Sequence, residues 1–259
     1  MWKKIKSKKG ILFKSVQQGE GVEVLENLKE KIREYTREKL GFSLFGVSSP
    51  GEFRKYPRVV GDFGGKKIES QFPDEVMPEC RAVIVLGMES KTDIFDTIIS
   101  EERLRASFYH EVIHYRLYLL REFLRKQGYE ALIPEKVSHK RAAILGGLGE
   151  PGKNTLVTNS DLGSNFRIGV LLTTLDLSPD PPGNPFNSEI CGDCEKCLTS
   201  CPVEAITPYN VDFSRCIIPK LDLEKKTEEG EKAYNLHKHL SPTAFIECNI
   251  CQKACPYNS

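Results

Sequence analysis

Two stretches of the 259-residue chain hold side chains spaced for metal chemistry. In HEVIH, His110 and His114 stand one helical turn apart with Glu111 beside the first. A helix can hold Zn²⁺ with such a pair and use the glutamate as general base. Further on, CGDCEKCLTSCP places Cys191, Cys194, Cys197 and Cys201 in the spacing C-x₂-C-x₂-C-x₃-C, with Pro202 next. That is the bacterial ferredoxin run. Three thiolates on one tight loop reach three irons of a single [4Fe–4S] cube, and the proline turns the chain so that the fourth thiolate serves a second cube.

Two clusters need eight thiolates. The second run, CNICQKACP, supplies Cys248, Cys251 and Cys255, and Phe245 stands where its first cysteine is expected. Cys216 restores the count. Spacing and number therefore assign one [4Fe–4S] cluster to Cys191, Cys194, Cys197 and Cys255, and the other to Cys201, Cys216, Cys248 and Cys251. Paired CxxC units also bind structural zinc, but zinc pairs do not usually carry the third close cysteine and the trailing Cys-Pro twice. Cys80, just before an apolar run, reads as a packed thiol. Eight of the nine cysteines follow residue 190, which marks metal binding rather than a disulfide framework.

HEVIH is judged by its helix, expected over 101–127 and closed by Gly128. On a helical wheel Leu104, Phe108, Val112, Tyr115, Leu119 and Phe123 form the apolar stripe. The two histidines share another face with Arg103, Ser107 and Arg121, and no downstream G-x-x-H supplies a third ligand. They read as helix surface. GLGEPGKN (147–154) nearly matches a phosphate loop, but Asn154 replaces the hydroxyl that Mg²⁺ needs. The loop also follows a helix and leads into TLVT, the reverse of a nucleotide site. Its amides can still cradle another polar ligand.

Around these motifs the chain reads as α+β: a layered α/β N-terminal domain (1–185), then a ferredoxin-like domain with two [4Fe–4S] clusters (186–259). Residues 22–40 form an amphipathic helix through Val24, Leu25, Leu28, Ile32 and Tyr35, stopped by Gly41. FSLFGV (42–47) and the continuous run RAVIVLGM (81–88) are strands, the second buried. Gly51 to Pro78 reads as a long loop. A short strand near 129–133 and a helix near 138–146 follow, then TLVT and FRIGVLLTTL as paired strands. SPDPPGNPFNSE (178–189) marks the domain boundary. Basic and acidic side chains nearly cancel, 37 against 36, so no overall attraction to DNA or a membrane is expected. The basic start, MWKKIKSKKGILFKSV, lacks the apolar segment of an export signal and reads as a solvated arm. A cytoplasmic protein is expected.

The segments MPECRAVIVLG, AAILGGLGEPGKNTLVTNSDLGSNFRIGVLLT, CGDCEKCLTSCPVEAI with DFSRCI, and ECNICQKACPYN together resemble the epoxyqueuosine reductase family and its reductive dehalogenase relatives. The likeness runs from about residue 40 onward, and all eight cysteines match. It implies that two clusters pass electrons to a cobalamin held over the N-terminal domain. There the reduced cobalt removes the epoxide oxygen of a modified tRNA base. It also implies a corrinoid pocket lined by Lys153, Asn154, Thr155, Gly163 and Ser164. The family's proton-donating aspartate falls at about Ile133, its usual tryptophan is Glu150, and the RNA-gripping extension of many members is not expected beyond CPYN.

The reading is therefore an iron–sulfur, cobalamin-dependent reductase of an epoxide, halide or related carbon centre, with tRNA or a small molecule as substrate. Glu135 or His139 would supply the proton, and a ferredoxin or flavodoxin the electrons. The alternative is a non-catalytic electron carrier serving a partner such as a corrinoid protein. A flavin in place of the corrinoid is a third option.

Overall fold

The structure is a computed structural model that describes residues 3–7, 10–13, 18–63, 66–90, 95–98, 105–186, 188–220, 228, 232, 235–241 and 244–258. A hairpin of β1 (Lys3–Ser7) and β2 (Gly10–Phe13) precedes α1 (Gln18–Glu38), β3 (Leu44–Ser48) and α2 (Pro50–Phe53). A second hairpin, β4 (Val60–Phe63) and β5 (Lys66–Glu69), leads through α3 (Pro73–Val76) to the long β6 (Ala82–Glu89). Then come β7 (Phe95–Ile98), β8 (Arg105–Ser107), α4 (Phe108–Lys126), β9 (Ala131–Leu132) and α5 (His139–Leu145). The short pair β10 (Glu150–Pro151) and β11 (Val157–Thr158) precedes β12 (Phe166–Thr173). The cysteine region holds α6 (Lys196–Thr199), β13 (Ile206–Thr207), β14 (Asn210–Val211), α7 (Ile217–Lys220), β15 (Lys238–His239), β16 (Ala244–Ile246) and α8 (Ile250–Lys253).

The centre is an antiparallel sheet in the order β3-β6-β12-β9, with all eight residues of β6 paired to β12. Its strands are apolar on both faces because both faces are covered. Ala82, Ile84, Leu86 and Met88 point into one core with Ile32 of α1 and Ile113, Leu117, Leu120 and Leu124 of α4. Val83 and Val85 point the other way, against Ala142, Ala143, Ile144 and Leu145 of α5. Alternation along a strand thus serves two cores at once, which is why RAVIVLG reads as an unbroken run. The mixed α/β architecture read from the sequence is the one observed.

Several local expectations differ. The Gly- and Pro-rich stretch 51–78 contains two one-turn helices and a hairpin, since Pro at the first helical position favours a helix start. TLVT does not pair with the following strand: Val157–Thr158 pairs back to Glu150–Pro151. Helix α4 begins at Phe108, after β8, and buries the row Ile113, Leu117, Leu120 and Leu124. The row expected to be buried lies on its flank, with Phe108 60% and Tyr115 64% exposed. This helix carries two apolar rows, and the sheet takes the one whose residues recur at i+4 and i+3. Leu104 and Arg103 lie outside the described residues, as do the side chains of Val24 and Leu25.

The stretch expected as a boundary is pinned rather than free. Asp180 donates its backbone N–H to Val47 and accepts from the Val47 N–H, both at 2.8 Å. The Lys29 ammonium of α1 meets Asp180 Oδ1 and the Ser178 carbonyl, each at 2.8 Å. Gly183 donates to the Ile144 carbonyl at the end of α5. No helix among the described residues is long and apolar enough to cross a membrane.

Cys80 sits in the α5-side core with its thiol 3.4 Å from the Ala82 carbonyl. Burial pushes this thiol up from 9.0 to about 11. Between those pH values the folded chain keeps a proton that the unfolded chain has released. This contribution to stability is complete below about pH 9 and is lost as pH rises toward 11. Cys80→Ala is expected to flatten that part of the alkaline stability curve, read as denaturation midpoints below and within the window. An unchanged slope would assign the alkaline loss to other groups.

Candidate metal centre

The eight C-terminal cysteines gather in two neighbouring cavities. Cys191, Cys194, Cys197 and Cys255 line the first with Lys153, Asn154 and Tyr257. Cys201, Cys216, Cys248 and Cys251 line the second, a cavity of about 240 Å³ that continues past Lys140, Thr155, Leu156 and Arg167. Each cavity takes cysteines from both runs. The reason is local: α6 carries Cys197, α8 carries Cys251, and each run turns away at its proline.

The electrostatics follow the same partition. Burial raises Cys251 to about 12, reinforced by Cys248, then Cys197, Cys201 and Cys216. Burial likewise raises Cys216, with Cys248 and Cys201 adding to it and Lys140 opposing. Cys197 is raised by burial and by Cys191, Cys255 and Cys194, and Cys255 by burial, Cys191 and Cys194. The Cys251–Cys197 interaction marks where the two groups adjoin. Buried thiols crowded this way are costly to ionise without a metal, so metal uptake must release protons. The thiol set suits iron–sulfur cubes, whose ligands are thiolates.

Backbone donors reach both groups. Lys153 N–H donates to Cys191 Sγ at 3.4 Å, and Ala205 N–H to Cys201 Sγ at 3.3 Å. The glycine-rich loop therefore offers an amide to a sulfur, where the sequence left its ligand open. Of the other residues singled out in that loop, Asn154 is buried and borders both cavities, and Thr155 lines the second with backbone φ of +66°. Gly163 and Ser164 lie under the segment after Cys255. A Cβ on Gly163 would strike Asn258 Oδ1 and the Tyr257 carbonyl, and its φ is +59°. Asn258 Oδ1 accepts from Ser164 N–H at 2.6 Å, and its Nδ2 donates to Ser164 Oγ at 2.8 Å. Gln252 of α8 donates to the Ser164 carbonyl at 2.6 Å.

Glu135 is exposed on the β9–α5 connection. His139 opens α5, where burial pushes its imidazole down against hydrogen bonds to the Pro134 and Ile168 carbonyls, with His110 acting in the same direction as burial. His110 itself is 73% exposed, 3.4 Å from Glu111. Its ring lies 6.0 Å from that of His114, and among the described residues no three His, Cys, Asp or Glu converge on a single ion. Phe245 is fully buried in β16, which explains an aromatic where a cysteine was expected.

Two contributors were missed by sequence reading. Lys140 was not singled out in the sequence, yet it lines the second cavity. Glu150 Oε2 accepts from Ser188 Oγ at 2.9 Å, Glu189 N–H at 2.8 Å and Ile190 N–H at 3.2 Å, fixing the chain just before Cys191. The signal was present as a carboxylate in the glycine-rich loop, but its partners lie some forty residues away in sequence. Glu150→Ala leaves those donors without their acceptor, at about 2 kcal/mol or more locally. Iron loss to a chelator is expected to quicken about tenfold, with Glu150→Gln intermediate. Equal rates in all three proteins would show that the loop is held otherwise.

Residues 190–258 match the family model for a 4Fe-4S double cluster binding domain. Fold and domain together define an iron–sulfur oxidoreductase with two [4Fe–4S] clusters. The chain is 31% identical to the epoxyqueuosine reductase of Leadbetterella byssophila, over 88% of this chain and 81% of that protein. It belongs to the epoxyqueuosine reductase family. A solved epoxyqueuosine reductase, crystallised with an epoxyqueuosine-modified tRNA stem loop, shares the fold at TM-score 0.63 and 20% identity. That match covers 90% of this chain and 66% of the other. A reductive dehalogenase described as B12-dependent shares it at TM-score 0.57 and 19% identity, over 99% of this chain and 34% of the other.

Proposed function

We propose that this chain passes electrons through its two clusters to a cobalamin, where an oxidised carbon centre is reduced. One cluster is assigned to Cys191, Cys194, Cys197 and Cys255, and the other to Cys201, Cys216, Cys248 and Cys251. The observation that carries this reading is the sorting of eight thiols into two adjoining cavities, one of which continues beyond its cysteines. Residues 1–185 hold the cofactor and substrate, and residues 186–259 the clusters. The donor is a one-electron carrier such as a ferredoxin or flavodoxin, in a reducing cytoplasm that keeps these thiols free.

The open end of the second cavity offers the polar side chains of Asn154 and Thr155, the apolar Leu156 and the cationic Arg167. The cavity, about 240 Å³ and lined by the four cysteines, is too small to enclose a corrinoid, so a cobalamin would lie across its opening. A cobalamin bound there supplies a redox-active cobalt. Asn154 and Thr155 would hold it there, and Arg167 would face its anionic tail. His139, set among protein groups beside Ile168 of β12, is preferred over the exposed Glu135 as proton source. The substrate proposed is the epoxide of a modified base in tRNA, by analogy with the relatives, with an organohalide as the small-molecule counterpart.

One observation favours the electron-carrier reading. Lys153, Gly163 and Ser164, expected in a corrinoid pocket, instead engage Cys191 and the tail after Cys255. Anaerobic iron and zinc analysis, followed by EPR during cobalamin titration, separates the two. About eight irons per chain with a base-off Co(II) signal supports the reductase. The same iron with no cobalamin response supports the carrier. Stoichiometric zinc with little iron overturns both.

A further inference from the structure

Ser164 is 4% exposed, and each of its polar groups meets the segment that carries Cys255. Its N–H donates to Asn258 Oδ1 at 2.6 Å, and its hydroxyl accepts from Asn258 Nδ2 at 2.8 Å. Its carbonyl accepts from Gln252 Nε2 at 2.6 Å. Gln252 and Asn258 stand three residues before and three residues after Cys255. The segment is also tied to itself. Asn258 Nδ2 donates to the Gln252 carbonyl at 2.5 Å, Asn258 N–H to the Cys255 carbonyl at 3.0 Å, and Cys255 N–H to the Gln252 carbonyl at 3.1 Å. Cys255 is therefore bracketed by a closed set of bonds. The other side of the contact is just as fixed. Asn159 Oδ1 accepts from the Asp161 and Leu162 N–H groups at 2.9 and 3.2 Å, and Asn159 and Gly163 exchange both backbone bonds. Asn159 Nδ2 donates to the Leu148 carbonyl at 2.7 Å, and Ser90 N–H to the Asn165 carbonyl at 2.8 Å. The turn 159–165 is thus anchored to the glycine-rich loop and to the chain leaving β6.

Cys191, Cys194 and Cys197 share one short loop, but the fourth thiol of their group arrives from a distant part of the chain and must be held by something else. Partners outside the ligand set commonly do this, by orienting the groups that bind the metal. We infer that the Ser164–Asn258 contact positions Cys255 as fourth ligand of the first cluster. A turn of the N-terminal domain then sets the geometry of a cluster ligated wholly from the C-terminal domain. This rests on the two-cluster reading above. Ser164 and Asn258 are positioning residues, which supply no ligand and act through Cys255. The other end of the same group is gripped from the same stretch of chain, since Lys153 N–H donates to Cys191 Sγ. The second group takes Cys201, Cys216, Cys248 and Cys251, all of which precede Gln252, so loosening the chain at Asn258 acts on the first group.

The test is oxidation of the full, reconstituted chain with ferricyanide, followed by iron release and EPR. Ferricyanide takes one electron from a [4Fe–4S] cube, the iron with the loosened thiolate leaves as Fe²⁺, and a [3Fe–4S] centre remains. Asn258→Ala should release iron from one cluster about tenfold faster than the wild type, as expected from losing buried hydrogen bonds, and should leave one [3Fe–4S] centre per chain. Ser164→Ala removes the hydroxyl alone and should give a smaller acceleration. Added to Asn258→Ala it should change nothing further, because both act on one contact. The N258A effect should persist beside Cys216→Ala, which leaves the first cluster, and vanish beside Cys194→Ala, which leaves the second. Equal acceleration at both clusters would overturn the inference, since it marks a general loosening of the fold. So would no acceleration, a multiplicative double variant, or an effect that survives beside Cys194→Ala. Fewer than about eight irons in the wild type removes the two-cluster reading itself, whereas eight irons with uniform or unaltered loss removes only this inference.

Discussion

Cys201→Ala is expected to lower the iron content from about eight to about four per chain and to weaken the cluster that remains. Cys201 belongs by sequence to the first run, but it lines the second cavity, while Cys255 of the second run lines the first. The runs are therefore crossed, and double substitutions read the crossing directly. Cys201→Ala with Cys216→Ala removes two ligands of one cluster, so about four irons should persist, no fewer than in the single variant. Cys201→Ala with Cys191→Ala removes one ligand from each, and both clusters should be lost. If each run instead held its own cluster, the two outcomes would be exchanged. This is the non-additivity expected of groups acting as one unit. It requires no activity assay, only iron analysis and EPR.

The second large effect is expected far from the thiols. Asp180→Ala should destabilise the chain by about 3–5 kcal/mol, the usual consequence of leaving one member of a buried ion pair alone. The Lys29 side chain is only 9% exposed, and its ammonium is shared between Asp180 and the Ser178 carbonyl. The other carboxylate oxygen receives the Val47 N–H, so the substitution also leaves a strand donor without that partner. Lys29→Met combined with Asp180→Ala should recover a good part of the loss, because the stranded charge is gone. Chemical denaturation midpoints of the anaerobic protein decide it. A double variant no better than Asp180→Ala would place the effect in the Val47 contact rather than in the charge.

The cysteine pattern was legible because cluster ligation depends on short-range loop geometry, which spacing records. Phe245 left a gap in the second run, and Cys216 filled the count before any fold was known. The unbroken apolar run of β6 was legible too, since a strand facing two cores has no polar side to show. Other features depended on long-range choices. The α4 sequence offers two apolar rows, and only the sheet beneath decides that Leu117 is buried while Tyr115 is exposed. The 60–69 hairpin hid inside a Gly- and Pro-rich stretch read as loop. Glu150, Lys140 and Asn258 matter through partners tens of residues away, where neither propensity nor periodicity carries information. HEVIH shows the converse: an exact spacing on a helix whose histidines face solvent.

The crossing of the cysteine runs also bears on how the protein is made. Roughly 60 residues separate Cys197 from Cys255, and at about 5–20 residues per second a ribosome takes several seconds to cover them. Through that interval the first group waits with three thiolates for its fourth, and the second group starts from Cys201 alone and gains Cys216, Cys248 and Cys251 in turn. Neither site can be completed during synthesis of the first run, so cluster insertion must wait until the second run has been made. Nascent chains stalled within this interval would display reactive thiols to any oxidant or stray metal, a vulnerability that two self-contained loops in series would have limited.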